Sequence, residues 1–181
     1  MSGLKFSYMA DFERLSIAVH GAAEGFLREC MGVLSANAGK ISDLIREQLY
    51  SGLDGKGNYL SPNYDDDPYF NEDGPWKGRP DAYKRWKEKI TPPMDSYLMH
   101  LPPRPVSVPN LIITGSFYGS IRATVNGESV DVVSSGFVDG ADIIRKYGDD
   151  ILLPGYNARL YINENILRPW LEDFFRKYGL I

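Results

Sequence analysis

The sequence predicts an α+β fold. A long N-terminal helix and a C-terminal helix pack on a small antiparallel sheet with a β-hairpin, and a long proline- and aromatic-rich extended arm joins them. Three observations carry this prediction. Apolar residues recur at three- and four-residue steps from about Ala22 to Tyr50. Two alternating runs flank Asn126-Gly127, the strongest short hairpin signal. A helical apolar face returns after Asn157. A chain of 181 residues fits one domain over 1–181, with 65–109 as an extended ordered arm or insertion within it.

Met1 to His20 mixes apolar and polar residues, and Phe12, Leu15, Ile17 and Val19 predict a short strand or an irregular arm. The helix from Ala22 to Tyr50 places Phe26, Leu27, Cys30, Leu34, Ile41, Leu44, Ile45 and Leu49 on one side. Glu24, Arg28, Lys40, Asp43, Arg46 and Glu47 lie mostly on the other. Such a helix is roughly 40 Å long, so its ends project from a small domain. Gly32 and Gly39 weaken its continuity, since an interior glycine costs about 1 kcal/mol. Ser51-Gly52 supplies a stop. An ordered aromatic loop follows to Tyr64, with glycines for its tight turns.

The stretch from Asp65 to Pro109 is rich in proline, which bars regular helix and sheet interiors. Tyr69, Phe70, Trp76, Tyr83, Trp86 and Tyr97 nevertheless give it surface to bury, so ordered packing over a neighbour is expected. A short helix fits Asp81 to about Ile90, and the Pro-Pro segments after it should be extended. Ile121 to Val133 forms the hairpin. Gly140 to Tyr147 reads as a short helix ending at Gly148, and Asp149 to Tyr156 as a loop. Asn157 caps a helix from Ala158 onward, which Pro169 should kink near Leu167.

Composition narrows the function. The net charge is −4 and the pI about 5.2, which opposes the basic face that nucleic-acid binding needs. Aromatic residues are 13% of the chain, with 12 Tyr against 8 Phe, and tyrosine suits both a core and a surface buried on assembly. Cys30 is a lone cysteine among apolar neighbours, where a small buried residue is the ordinary reading and a catalytic thiol the exception. No apolar run approaches the length of a membrane span. No charged-then-apolar leader pattern opens the chain, so the cytoplasm, or a particle assembled there, is the expected location.

Catalytic constellations are sparse. His20 and His100 are the only histidines and have no metal-ligand spacing. Asp65, Asp66 and Asp67 could offer oxygen ligands to Mg²⁺ or Ca²⁺. Consecutive side chains diverge, however, and a solvated acidic turn or a partner for Lys and Arg across an interface explains them as well. Asp54-Gly55-Lys56-Gly57-Asn58 lacks phosphate-loop spacing, and Tyr118-Gly119-Ser120 is not a nucleophile elbow. Glu47, Asp54 and Asp65 are acid candidates in name only. The expectation is no catalytic residue, no cofactor and no metal.

An ordered set of motifs resembles a family. Gln48-Leu49-Tyr50-Ser51-Gly52 ends a helix, followed by Asp54-Gly55-Lys56-Gly57 and Ser61-Pro62-Asn63-Tyr64. Thr114-Gly115-Ser116-Phe117-Tyr118-Gly119-Ser120-Ile121 leads into the hairpin, and Ile144-Arg145-Lys146-Tyr147-Gly148 closes the helix after it. Together, over roughly residues 25 to 175, these resemble the tail-completion and head–tail joining proteins of long-tailed bacteriophages, also described as minor tail component or virion morphogenesis proteins. Ala141-Asp142 stands where such proteins commonly carry Tyr-Ala, and 65–109 departs from compact members.

The resemblance implies a virion protein of the tail or neck, in a ring of six copies at the end of a tail tube or twelve at a portal-proximal layer. Its partners would be sister copies and adjoining neck, tail or portal-proximal proteins. DNA would pass through the ring without sequence-specific contact, and no catalysis, cofactor or membrane is implied. The expected interface residues are Tyr50, Tyr64, Tyr69, Phe70, Trp76, Trp86, Phe117 and Tyr118. Of these, Tyr50, Tyr64, Phe117 and Tyr118 would also pack the loop onto the helix and sheet. The alternatives are a non-virion phage assembly factor or adaptor, and a metal-dependent hydrolase using Asp65–Asp67. A closed solitary molecule with a deep pocket gathering ionisable side chains would count against the structural reading.

Overall fold

Helix α1 (Leu4–Ala36) and helix α2 (Ala38–Tyr50) are separated by a single non-helical residue, Asn37. The computed structural model describes the backbone of residues 4–135 and 137–181, and side chains from Asp11 onward apart from positions 136 and 141. The expected strand or irregular arm over 1–20 is instead helical from Leu4, while Met1–Gly3 lie outside the described residues. The reason is periodic: Phe12, Leu15, Val19, Ala22 and Phe26 keep alternating three- and four-residue steps, which a strand cannot place on one face. The helix breaks at neither Gly32 nor Gly39. At Asn37 the side-chain amide donates to the Val33 carbonyl at 2.9 Å, competing with the helical ladder.

Helix α2 is the centre of the fold. Ile41, Leu44, Ile45 and Leu49 are buried on it and pack against the hairpin and the Asp149–Leu152 3₁₀ turn. Strands β1 (Ile121–Asn126) and β2 (Ser129–Ser134) pair antiparallel, with Val125 opposite Val130 and Asn126 opposite Ser129. Gly127 takes the first central position of the two-residue turn with φ 62°, as a type II′ turn requires. Ile121 and Ala123 face α2, and the Ala123 N–H donates to Ser42 Oγ at 2.9 Å. Arg46 donates to the Tyr118 and Ile121 carbonyls, each at 2.8 Å, and so holds the short helix α4 (Ser116–Ser120) and β1 on α2.

The segment 65–109 folds back on its own chain. Helix α3 (Pro80–Ile90) begins with proline at its first turn, where the missing N–H costs nothing. The Glu47 carboxylate accepts from the Leu98 N–H at 2.9 Å, and Tyr50 Oη donates to the Pro92 carbonyl at 2.8 Å. Arg104 is buried and donates to the Val108 carbonyl at 3.1 Å and the Thr91 carbonyl at 2.9 Å. Gly52, at φ 71°, lets this segment close: a Cβ there would lie 2.5 Å from Val108 Cγ1.

The C-terminal region begins with helix α5 (Gly140–Tyr147) and continues through α6 (Tyr156–Ile162), a π turn (Asn163–Leu167) and α7 (Arg168–Lys177). The expected loop over 149–156 holds a 3₁₀ turn, and α6 starts behind Gly155, so Asn157 lies inside it rather than capping it. Pro169 has no N–H for the preceding turn, and the ladder widens into the π turn there. Helix α7 covers the middle of α1, with the Phe26 and Phe174 rings 5.5 Å apart edge to face and Lys177 paired to Glu29 at 2.7 Å. Among the described residues no helix is long and apolar enough to cross a membrane.

Candidate functional site

Three separate stretches enclose a cavity of about 480 Å³. The first is the start of the folded-back segment. Asp67 caps the 3₁₀ turn Pro68–Asn71, its carboxylate accepting from the Tyr69 N–H at 3.0 Å, and this sets Tyr69 and Phe70 against α3. Tyr83 is the hub: the rings of Tyr64, Phe70, Trp76 and Trp86 lie 5.1–5.3 Å from it, mostly edge to face. The second stretch is 109–113, where Leu111 holds a left-handed φ of 56° beside Ile112. That conformation is uncommon for a bulky side chain, costs about 1–3 kcal/mol and persists only where its surroundings enforce it. The third is α5, which contributes Asp139 just before it, then Asp142, Ile143, Lys146 and Tyr147.

Two cations line this cavity in different ways. Lys146 pairs with the buried Asp67 carboxylate, its Nζ 2.6 Å from one oxygen and 2.7 Å from the other. Lys87, on α3, is 1% exposed and donates to the Ile112 carbonyl. Among the described residues no carboxylate forms an ion pair with Lys87. Burial, with repulsion from Arg104 added, pushes its pKa down to about 8. Burial also pushes the hydroxyls of Tyr64, Tyr83 and Tyr147 up, Tyr83 to about 12, so they are neutral donors at pH 7.

The residues expected at an interface divide between this cavity and the core. Tyr64, Tyr69, Phe70, Trp76 and Trp86 line the cavity. Phe117 and Tyr118 belong to the main core with Ile45, Leu49, Ile121 and Ile151, and Tyr50 packs half-buried against it. Tyr64, Phe70, Phe117 and Tyr118 are buried within the chain. Sequence reasoning missed Lys87 and Lys146. Lys87 had a signal: it follows Tyr83 by one helical turn, on the face of α3 that carries the apolar rings.

The acids resolve into structural roles. Asp65 pairs with Lys84, Asp66 accepts from Asn63 at 2.8 Å, and Asp67 pairs with Lys146. The cationic partners expected across an interface are thus found within the chain for Asp65 and Asp67. Asp54 accepts from the Lys56 and Asn58 N–H groups at 2.8 Å and so shapes its loop, while Glu47 holds the chain at Leu98. Among the described residues no group of three or more His, Cys, Asp or Glu side chains could hold a metal ion. Cys30 is half-buried rather than buried, and desolvation pushes its thiol up, away from the reactive thiolate.

A second surface lies on α1. Phe12 and Leu15 are 73% and 53% exposed, and Val19 is exposed beside them. Their stripe continues into a groove of about 300 Å³ lined by Val19, Ala22, Ala23, Phe26, Phe174, Phe175 and Leu180. No protein-family model, curated protein or solved structure matches this chain.

Proposed function

We propose that this protein is a structural virion subunit of a tailed bacteriophage, forming a ring at the head–tail junction as a tail-completion or neck protein. The motif order described above supplies the family resemblance. The observation that carries the assembly part is the apolar stripe on α1, whose outer end stays exposed among the described residues. Phe12, Leu15, Val19, Ala22 and Phe26 keep the spacing of a helix–helix seam. The chain's own α7 covers the seam only at its inner end, where Ala22 is buried and Phe26 meets Trp170 and Phe174. The outer part stands in water, where burying Phe, Leu or Val would return roughly 1.5–3 kcal/mol each.

A second copy is the occupant that fits. The outer stripe of one copy laid into the α1–α7 groove of the next is a head-to-tail contact, which gives a ring when the rotation between copies closes and a filament when it does not. The hairpin adds an edge: β2 pairs only with β1 among the described strands, which leaves it open to a neighbouring subunit. The hydrolase alternative loses support because Asp65, Asp66 and Asp67 hold separate partners. The reading includes no catalytic step, and the cavity lined by Asp67, Lys87, Asp139, Asp142 and Lys146 counts against it by the criterion set from the sequence.

Mass measured across concentration tests the assembly. The unaltered chain is expected to form one closed oligomer, and Phe12→Asp with Leu15→Asp to leave a folded monomer. A monomeric unaltered chain at high concentration would overturn the ring. Presence of the protein in purified particles separates a virion subunit from an assembly factor or adaptor.

A further inference from the structure

We propose that the aromatic cavity binds a small organic monocarboxylate with an aromatic or branched apolar body, its carboxylate paired with Lys87. This goes beyond the ring reading and stands or falls separately from it.

The volume of about 480 Å³ lies in the range of small-molecule sites, roughly 300–1,000 Å³. Its walls are rings and aliphatic side chains, which cover an apolar body. The polar end follows from charge. A lysine is almost never fully buried without a counter-charge. Asp67 and Lys146 neutralise one another, whereas Lys87 has the Ile112 carbonyl as its one described acceptor. An ammonium carries three donors, so two remain for an incoming oxygen pair. Both Lys87 and Ile112 line the cavity, and the strained Leu111 adjoins them. Strain of this kind clusters at ligand clamps.

The same charges decide which ligands are refused. An aromatic cage also suits a quaternary ammonium ion, but the buried like charge of Lys87 opposes one. Asp139 lines the cavity while remaining exposed, and its charge disfavours a ligand with two or more negative charges; Asp142, also on the lining, is paired with Arg145 at 2.6 Å. One carboxylate on an apolar body satisfies both conditions.

The test uses intrinsic fluorescence of the full chain. Trp76 and Trp86 line the cavity, and the third tryptophan, Trp170, lies on α7. Titration with phenylacetate and with octanoate is expected to change the emission saturably for at least one acid. The matching neutral amide should bind at least about ten-fold more weakly, the loss of one charge-assisted hydrogen bond. Lys87→Met should erase that preference for the acid over the amide. Should Lys87→Met fail to fold, the acid-to-amide ratio in the unaltered chain decides alone. Equal binding of acid and amide, tighter binding of benzyltrimethylammonium or phthalate than of phenylacetate, or no saturable change with either acid would each overturn the proposal.

Discussion

Two hydrophobic clusters of this protein, one mostly aliphatic and one wholly aromatic, end differently. In the main core, Ile45, Leu49, Phe117, Tyr118, Ile121 and Ile151 close on one another, and the Tyr118 hydroxyl donates to the Asn110 carbonyl at 2.5 Å. In the second cluster, Tyr64, Phe70 and Tyr83 pack with Trp76 and Trp86 but leave a hollow. The core gathers Ile45 and Leu49 of α2, Phe117 and Tyr118 of α4, Ile121 of β1 and Ile151 of the 3₁₀ turn, so elements close on it from several sides. The second cluster sets Tyr83 and Trp86 of α3 against rings from the turns before it, with no aliphatic side chain in the cluster to fill the space between them. Rings alone therefore do not make a filled core; here the aliphatic side chains between them do.

The sharpest break of that comparison is a truncation on each side. Ile45→Ala removes fully buried atoms and is expected to cost about 2–5 kcal/mol in denaturant unfolding. Trp86→Phe borders the hollow and should cost less than about 1.5 kcal/mol, since its surroundings are already open. Equal costs would mean that the hollow is packed as tightly as the core.

The second difference is charge. The core cluster contains no lysine, whereas the hollow is lined by Lys87, held at a pKa of about 8 against 10.5 in the unfolded chain. Between those values the unfolded chain binds more protons than the folded one, so stability rises with pH. The penalty of the buried charge is fully present below pH 8 and lifts as pH climbs through the folded value. Arg104, Asp67, Lys146, Asp139 and Asp142 are the charged groups around the hollow, and its buried tyrosines remain neutral through this window. Above pH 10 the tyrosines reverse the trend, because they ionise in the unfolded chain while the folded protein keeps them protonated. Unfolding free energy measured from pH 7 to 10 should rise for the unaltered chain relative to Lys87→Met. Parallel curves would remove the uncompensated charge from the account.

What could be read in the sequence follows the same division. The hairpin, α3 and the apolar face of α2 were legible because each is a local pattern, with Asn126-Gly127, Asp81 and the recurring leucines and isoleucines marking them. The first helix was misjudged because Phe12, Leu15, Ile17 and Val19 include an alternating run that the longer seam to Phe26 outweighs. The cavity was not legible. Its walls come from positions as distant as Tyr64 and Tyr147, and no local period links them. The folded-back course of 65–109 depends on contacts such as Glu47 to Leu98, which pair a helix residue with one about fifty positions later.

The smallest effect on stability concerns α1, whose two halves repeat the contrast between closed and open. Phe26 meets Trp170 and Phe174, and Ala22 is buried, while Phe12 and Leu15 face solvent. Replacing Phe12 or Leu15 with Ser at a dilution where the chain is monomeric should change unfolding by no more than about 0.5 kcal/mol, as for exposed sites generally. Phe26→Ala should cost more under the same conditions, because it removes ring contacts that the single chain already makes. At assembly concentration the order reverses if the stripe is a subunit contact: Phe12→Ser and Leu15→Ser then lower the oligomer's thermal midpoint, and the midpoint becomes dependent on protein concentration. A Phe12→Ser variant with the same midpoint as the unaltered chain at every concentration would show that the outer stripe touches no second copy.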